Sequence, residues 1–200
     1  MSVRTVAGIL LTGGESRRMG RDKATLAPDP RSANLAERTA RLLERVAEPA
    51  VEVGPGHSHL PAVVEDPPGA GPLAALVAGR DFLYRQGWTG PAVVVATDLP
   101  LLTENLLLWL VSHHDAGAAS RSVVPVVAGR VQPLCARYSQ SDVETAAWLV
   151  KNGSRAMKDL ITHIDPLLPT EEEWAGVADP EVFGDVDTPA DLARLLGRST

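Results

Sequence analysis

Apolar residues along the chain fall into two patterns, short unbroken runs and longer stretches with a helical period. Residues 6–11 (VAGILL) and 92–96 (AVVVA) contain no polar member, and the second is β-branched through its centre. Runs this short, apolar on both faces, predict strands covered on both sides of a sheet. Residues 50–53 and 61–64 predict two further strands, ended by Gly54-Pro55-Gly56 and by Glu65-Asp66-Pro67-Pro68. Between them Leu35, Leu42, Leu43 and Val46 recur on one helical face. Asn34 as N-cap with Glu37 three residues on predicts a capping box for that helix, and Pro49 stops it. Pro72 suits the first turn of a second helix, which Leu73, Leu76, Val77, Phe82 and Leu83 carry to about residue 84. Thr103 is expected to cap a third helix over 104–113. Strand, helix and strand at these spacings predict a parallel sheet built from βαβ units.

From residue 122 the pattern changes. Residues 123–127 and 131–138 read as two strands, antiparallel across the turn at Ala128-Gly129-Arg130. Helices are expected after Ser139, to about residue 150, and from Ser154 to about residue 161, followed by a strand over 164–167. Residues 169–180 are acidic and aperiodic and read as loop, and 183–187 as a short extended segment. Thr188-Pro189-Ala190-Asp191 carries a cap hydroxyl, a proline at N1 and a carboxylate at N3, the start of a last helix that Gly197 ends.

The chemistry gathers where the first strand stops. Thr12-Gly13-Gly14 follows it, and then Arg17, Arg18, Arg21 and Lys23. Glycines free to take positive φ let backbone N–H groups close around an anion, and the basic residues add fixed charge against a polyphosphate. A P-loop is excluded because Gly20 is followed by Arg21-Asp22-Lys23, with no hydroxyl after the lysine, and a G-x-G-x-x-G fingerprint is absent. Asp98, in Thr97-Asp98-Leu99-Pro100, stands at the carboxyl end of a central strand, where open α/β sheets bind ligands. Asp187, and less directly Asp185, offer a second carboxylate from far along the chain, and Mg²⁺ takes one or two carboxylates together with phosphate oxygens.

Charge and composition narrow the classes. A formal net charge of −6 argues against general nucleic-acid binding, so the basic cluster is local. The single cysteine, Cys135, allows no internal disulfide and reads as a core thiol. No leader or membrane span is visible, so a cytoplasmic protein of one domain, residues 1–200, is expected. His57 and His59 read as a solvated loop pair, His113-His114 as a favourable helix end, and Trp109 and Trp148 as packing residues.

The segment L-T-G-G-x-x-x-R-M-G-x-D-K over residues 11–23 resembles the nucleotidyltransferase superfamily and is most similar to the molybdenum cofactor guanylyltransferases. Further elements of that family's pattern follow in order: Asp66, Gly71-Pro72-Leu73, Asp98-Leu99-Pro100, Gly129-Arg130-Val131-Gln132-Pro133-Leu134, and Asp185 through Leu192. The resemblance implies a Rossmann-like three-layer α/β fold with a mostly parallel mixed sheet. It implies transfer of GMP from GTP to the phosphate of molybdopterin, with release of pyrophosphate. It assigns Lys23, Arg18 and Asp98 to the reacting triphosphate, and Asp98 and Asp187 to Mg²⁺. Leu11, Thr12, Gly13 and Gly14 would hold the nucleotide together with Lys23, Asp66, Gly71 and Asp98, and residues 129–134 would face the pterin. Proteins that insert molybdenum or deliver the cofactor are implied partners.

Two departures bear on the subfamily. Both asparagines of the closing motif are aspartates here, as in related cytidylyl- and phospholactate guanylyltransferases, and Gly54 stands where a nucleotide-contacting asparagine is often found. The alternatives are a related transferase with another donor or acceptor, such as a molybdopterin cytidylyltransferase or a phospholactate guanylyltransferase, then a non-catalytic nucleotide-binding partner, and third a sugar-transferring enzyme of similar fold.

Overall fold

The run Ala7–Leu11 forms strand β1, buried at every position, and the sheet grows outward from it. A computed structural model describes residues 6–13, 23–27, 32–113 and 121–184 of the chain. β2 (Ala50–Val53) and then β3 (Ala62–Val63) lie parallel on one side of β1, and β4 (Ala92–Ala96) lies parallel on the other. A two-stranded hairpin, β5 (Val126–Val127) and β6 (Arg130–Val131), stands apart from the main sheet. β7 (Cys135–Tyr138) pairs antiparallel with β4 and completes the order β3-β2-β1-β4-β7.

Helices cover both faces, and the period-two alternation of the strands decides which residue meets which. On one face α1 (Leu35–Val46) and α3 (Glu104–Ser112) pack Leu43, Leu106, Leu107 and Leu110 against Leu10, Val93, Val95 and Cys135. On the other, α2 (Pro72–Arg85), α4 (Gln140–Lys151) and α5 (Met157–His163) bring Leu73, Leu76, Leu149 and Leu160 onto Ile9, Leu11, Val94 and Tyr138. The architecture is α/β, with a mixed, mostly parallel sheet between helical layers. Caps agree with the sequence: Asn34 accepts from the Glu37 N–H, Thr103 from Leu106 and Ser139 from Asp142. Glu37 does not close the capping box back onto Asn34; its carboxylate goes to Arg41 and His59.

Several expectations need correction. Residues 131–138 are not one strand, because Pro133 lacks an N–H and the backbone turns there, Cys135 N–H reaching Gln132 O at 3.1 Å before pairing resumes in β7. Helix α5 begins at Met157 rather than near Ser154. The Arg155 carbonyl accepts the Leu73 N–H of α2 at 3.2 Å, which holds that residue out of a helix. Residues 61–64 contribute a strand of two residues, and the strand expected over 164–167 is reduced to a bridge between Leu167 and Val123. The acidic stretch holds a short helix, α6 (Glu171–Trp174), with a Thr170/Glu173 capping box, and Trp174 is fully buried against Phe183. Phe183, expected to open an extended segment, instead ends a 3₁₀ turn, Pro180–Phe183, and residues 185–187 of that segment lie outside the described residues. The closing helix expected after Thr188 lies outside the described residues.

Candidate active site

The chain runs from β1 outward to β3 and then crosses to β4, so its winding reverses between β1 and β4. At such a reversal the loops leaving adjacent strand ends diverge and leave a crevice. A cavity of about 650 Å³ opens there, at the carboxyl ends of β1 to β4. Its floor is Leu11, Thr12 and Gly13 beside Ala96, Thr97 and Asp98. One wall is Gly54 and Pro55 after β2 with Val64 and Glu65 after β3, and the other is the start of α2 at Gly71, Pro72 and Ala75, with Leu134.

The floor is tightly tied. Thr12 and Gly13 both donate their N–H to the Val53 carbonyl, at 3.0 and 3.2 Å, and Thr97 donates to Leu11 O at 3.2 Å. The Gly13 amide, expected to face an anion, is thus held by β2, because the β1–β2 ladder runs one residue past the strand end. The Thr12 hydroxyl donates to a buried carboxylate, Glu52 Oε1, at 2.6 Å. Gly54 has φ of +149°, and a Cβ there would stand 2.1 Å from Thr12 Oγ. The position often filled by asparagine is therefore closed to a side chain in this packing.

Asp98 is half-buried at the end of β4 and lines the cavity, as do Leu11, Thr12, Gly13 and Gly71. Gly71 caps α2 at φ of +99°, and a Cβ there would meet the Arg155 carbonyl at 2.9 Å, so the start of α2 reaches the cavity as bare backbone. Asp66 is exposed and outside the lining; its neighbour Glu65 is buried, accepts the Gly69 N–H at 2.9 Å and faces the cavity instead. Of residues 129–134 only Leu134 lines it, held by its carbonyl accepting Ala96 N–H at 2.8 Å. Arg18, Gly14 and Asp187, like the side chain of Lys23, lie outside the described residues.

The remaining candidates have other roles. Burial first, and the Asp98 charge second, push the Cys135 thiol up to about 12, so it stays a protonated core thiol. The His59 ring lies between Glu37 at 2.9 Å and Glu44 at 2.7 Å, and no group of three metal-ligating side chains occurs among the described residues. Trp109 packs against the core and stacks on His113, whereas Trp148, expected to pack, is 58% exposed. Sequence reasoning passed over Glu52 and Glu65. For Glu52 the available signal was a lone carboxylate inside an otherwise apolar strand, and for Glu65 its place at a strand's carboxyl end.

An open α/β sheet with its cavity at the switch point, a glycine shortly after its first strand and a carboxylate in the turn after its fourth, defines a nucleotide-handling class. Residues 8–166 match the MobA-like NTP transferase domain, and the chain belongs to that family. A probable molybdenum cofactor guanylyltransferase of Mycobacterium avium (strain 104) is 35% identical over 196 residues, 95% of this chain and 94% of its own. The crystal structure of molybdopterin-guanine dinucleotide biosynthesis protein A from Archaeoglobus fulgidus superposes with a TM-score of 0.76, at 20% identity, over 98% of this chain and 100% of that one. A Mycobacterium tuberculosis H37Rv protein solved as a manganese complex superposes with a TM-score of 0.62, at 16% identity, over 96% and 98% of the two chains.

Proposed function

We propose that the chain transfers GMP from GTP to the terminal phosphate of molybdopterin, giving molybdopterin guanine dinucleotide and pyrophosphate. The observation that carries this is the meeting of Thr12-Gly13 and Asp98 on the floor of the switch-point cavity, in a member of this family. An acceptor phosphate is already an anion, so its oxygen attacks the α-phosphorus of GTP without a general base, and the bond from that phosphorus to the bridging oxygen of pyrophosphate breaks. The obstacle is repulsion, about 4 kcal/mol for two unit charges 4 Å apart at an effective dielectric of 20.

The charged side chains of the described cavity lining are the carboxylates Asp98 and Glu65, a hard oxygen set that suits Mg²⁺ better than a thiophilic metal. Asp98, with Asp187 as second ligand, would hold that ion, which when bound neutralises triphosphate charge. Lys23 and Arg18 would supply positive charge to the triphosphate. Leu11, Thr12, Gly13 and Gly71 border the nucleotide together with Glu65, which lines the cavity where Asp66 does not, and of residues 129–134 Leu134 borders the pterin. The protein acts as a single cytoplasmic domain and passes its product to molybdenum-insertion or delivery proteins. No helix of the described residues is long and apolar enough to cross a membrane.

Magnesium-dependent pyrophosphate release with molybdopterin, comparing GTP, CTP, ATP and UTP, tests the reading. Release with GTP alone is expected. Release with CTP instead would keep the chemistry and change the product, and release with none would favour a binding role.

A further inference from the structure

Glu52 is an ionisable side chain in the middle of β2, fully buried between Val51 and Val53. Burying a carboxylate is costly unless its oxygens are matched by donors. Here they are. Oε1 accepts from Thr12 Oγ at 2.6 Å, Gly56 N at 3.0 Å and His57 N at 2.7 Å. Oε2 accepts from Ser58 N at 2.8 Å and Ser58 Oγ at 2.7 Å. All five partners are donors, so the carboxylate is ionised. Burial alone would push its pKa up, but the bonds from Thr12, Ser58 and the His57 and Ser58 amides outweigh that and hold it below the usual carboxylate value.

These bonds join two separate parts of the cavity. Thr12 belongs to the floor, while 56–58 continue the wall that Gly54 and Pro55 present. Gly54 and Pro55 are consequently pinned from both ends, at Val53 by the Thr12 and Gly13 amides and at 56–58 by Glu52. We propose that Glu52 is a positioning residue for nucleotide binding: acting through Thr12 and the 56–58 backbone, it fixes the spacing of floor and wall into which the nucleoside fits. This rests on the nucleotide-binding reading above. It predicts a split between binding and turnover. Asp98 sits in the turn after β4 and is not among the partners of Glu52, so loosening the wall weakens GTP binding in ground and transition states alike.

The test is calorimetric titration of MgGTP into wild type, Glu52→Gln and Thr12→Val, with steady-state turnover and thermal denaturation of each. In Glu52→Gln an amide NH₂ must face two or three donors whichever way it is turned, whereas Thr12→Val removes one donor and keeps the shape. The dissociation constant for GTP should rise about tenfold in Glu52→Gln, with kcat at saturating GTP within about twofold, and a few-fold in Thr12→Val. Because both act on one linkage, the double variant should bind no more weakly than Glu52→Gln alone. Leu110→Ala, a fully buried change in the last turn of α3, should lower stability and leave GTP affinity unchanged.

Unchanged affinity in folded Glu52→Gln would overturn the proposal, as would a fall in kcat without a change in binding. If Glu52→Gln does not fold, unchanged affinity in Thr12→Val overturns it. Failure of the wild type to bind GTP would overturn the nucleotide reading and this inference together. Normal wild-type binding with indifferent variants would sink only this one.

Discussion

Replacing Gly54 by alanine probes how closely floor and wall are fitted. At φ of +149°, a region populated almost only by glycine, an L-residue gives up about 1–2 kcal/mol relative to glycine. The new methyl would also stand 2.1 Å from Thr12 Oγ and 2.8 Å from Gly13 N, inside contact distance of both. The threonine hydroxyl must therefore leave Glu52, and a lost hydrogen bond to an ionised carboxylate costs about 1.5–3 kcal/mol. Together these give about 2.5–5 kcal/mol, or a melting temperature lower by roughly 5–20 °C for a chain of this size. Denaturant and thermal unfolding followed by circular dichroism would measure it. A second background separates the two contributions. In Thr12→Ala the hydroxyl and its bond are already gone, so adding Gly54→Ala should cost about 1.5–3 kcal/mol less than it does in wild type. A cost below about 0.5 kcal/mol, or the same cost in both backgrounds, would refute the reasoning.

Asp98→Asn keeps the side-chain volume and removes the charge at the cavity floor; pyrophosphate release should fall at least about 100-fold with the circular dichroism spectrum unchanged, and near-normal turnover would remove Asp98 from the reaction. Tyr138 is fully buried, burial holds its hydroxyl protonated, and it donates to Pro133 O at 2.7 Å, beside the cavity residue Leu134. Tyr138→Phe leaves that carbonyl without its donor and should cost about 1–3 kcal/mol in urea unfolding. His59 is raised above its ordinary 6.5 by hydrogen bonds to Glu37 and Glu44, so its stabilisation is present in full below pH 6.5 and is lost as pH rises through the higher folded pKa. Glu37, lowered by its bond to His59, works in the opposite sense at acid pH: its share is present above its ordinary 4.5 and is lost as pH falls through the folded pKa. The stability difference between wild type and His59→Ala should accordingly be largest between those two values and shrink on both sides, staying under about 1 kcal/mol because the pairs are half-exposed.

How much of this was legible depended on whether local rules or tertiary contacts decided the outcome. Residues 50–53, 92–96 and the helices opened by Asn34, Pro72, Thr103 and Ser139 were legible, because apolar period and cap chemistry act over a few residues and agree with each other. The start of α5 was not, since it is set by Arg155 handing its carbonyl to Leu73, far away in sequence. The helix at Glu171–Trp174 has a capping box that sequence could have shown. It was obscured by acidity, and what anchors it is one buried tryptophan rather than a periodic face. At the site, the glycine loop and Asp98 carry motif and position together. Glu65 could be told from Asp66 only by which carboxylate the backbone turns inward, and Glu52 only by the five donors that gather around it.

The distribution of charge explains how an acidic chain can serve a polyphosphate donor. The formal net charge is −6, and the charged groups on the described lining are two carboxylates, Glu65 and Asp98. Facing a bare triphosphate they would add repulsion of about 4 kcal/mol for each close pair at an effective dielectric of 20. Glu52, the third carboxylate near the floor, also carries negative charge, which five neutral donors stabilise without cancelling it. The sequence places Arg17, Arg18, Arg21 and Lys23 directly after the loop whose first glycine, Gly13, lies on the cavity floor. In the proposed reaction the carboxylates and the basic segment therefore have separate tasks. The carboxylates would favour GTP that arrives as its complex with a divalent cation, and the basic residues would take up the charge that pyrophosphate carries away. Neither alone would suffice, since carboxylates without the cations repel the leaving group, and cations without the carboxylates would hold any polyanion equally well.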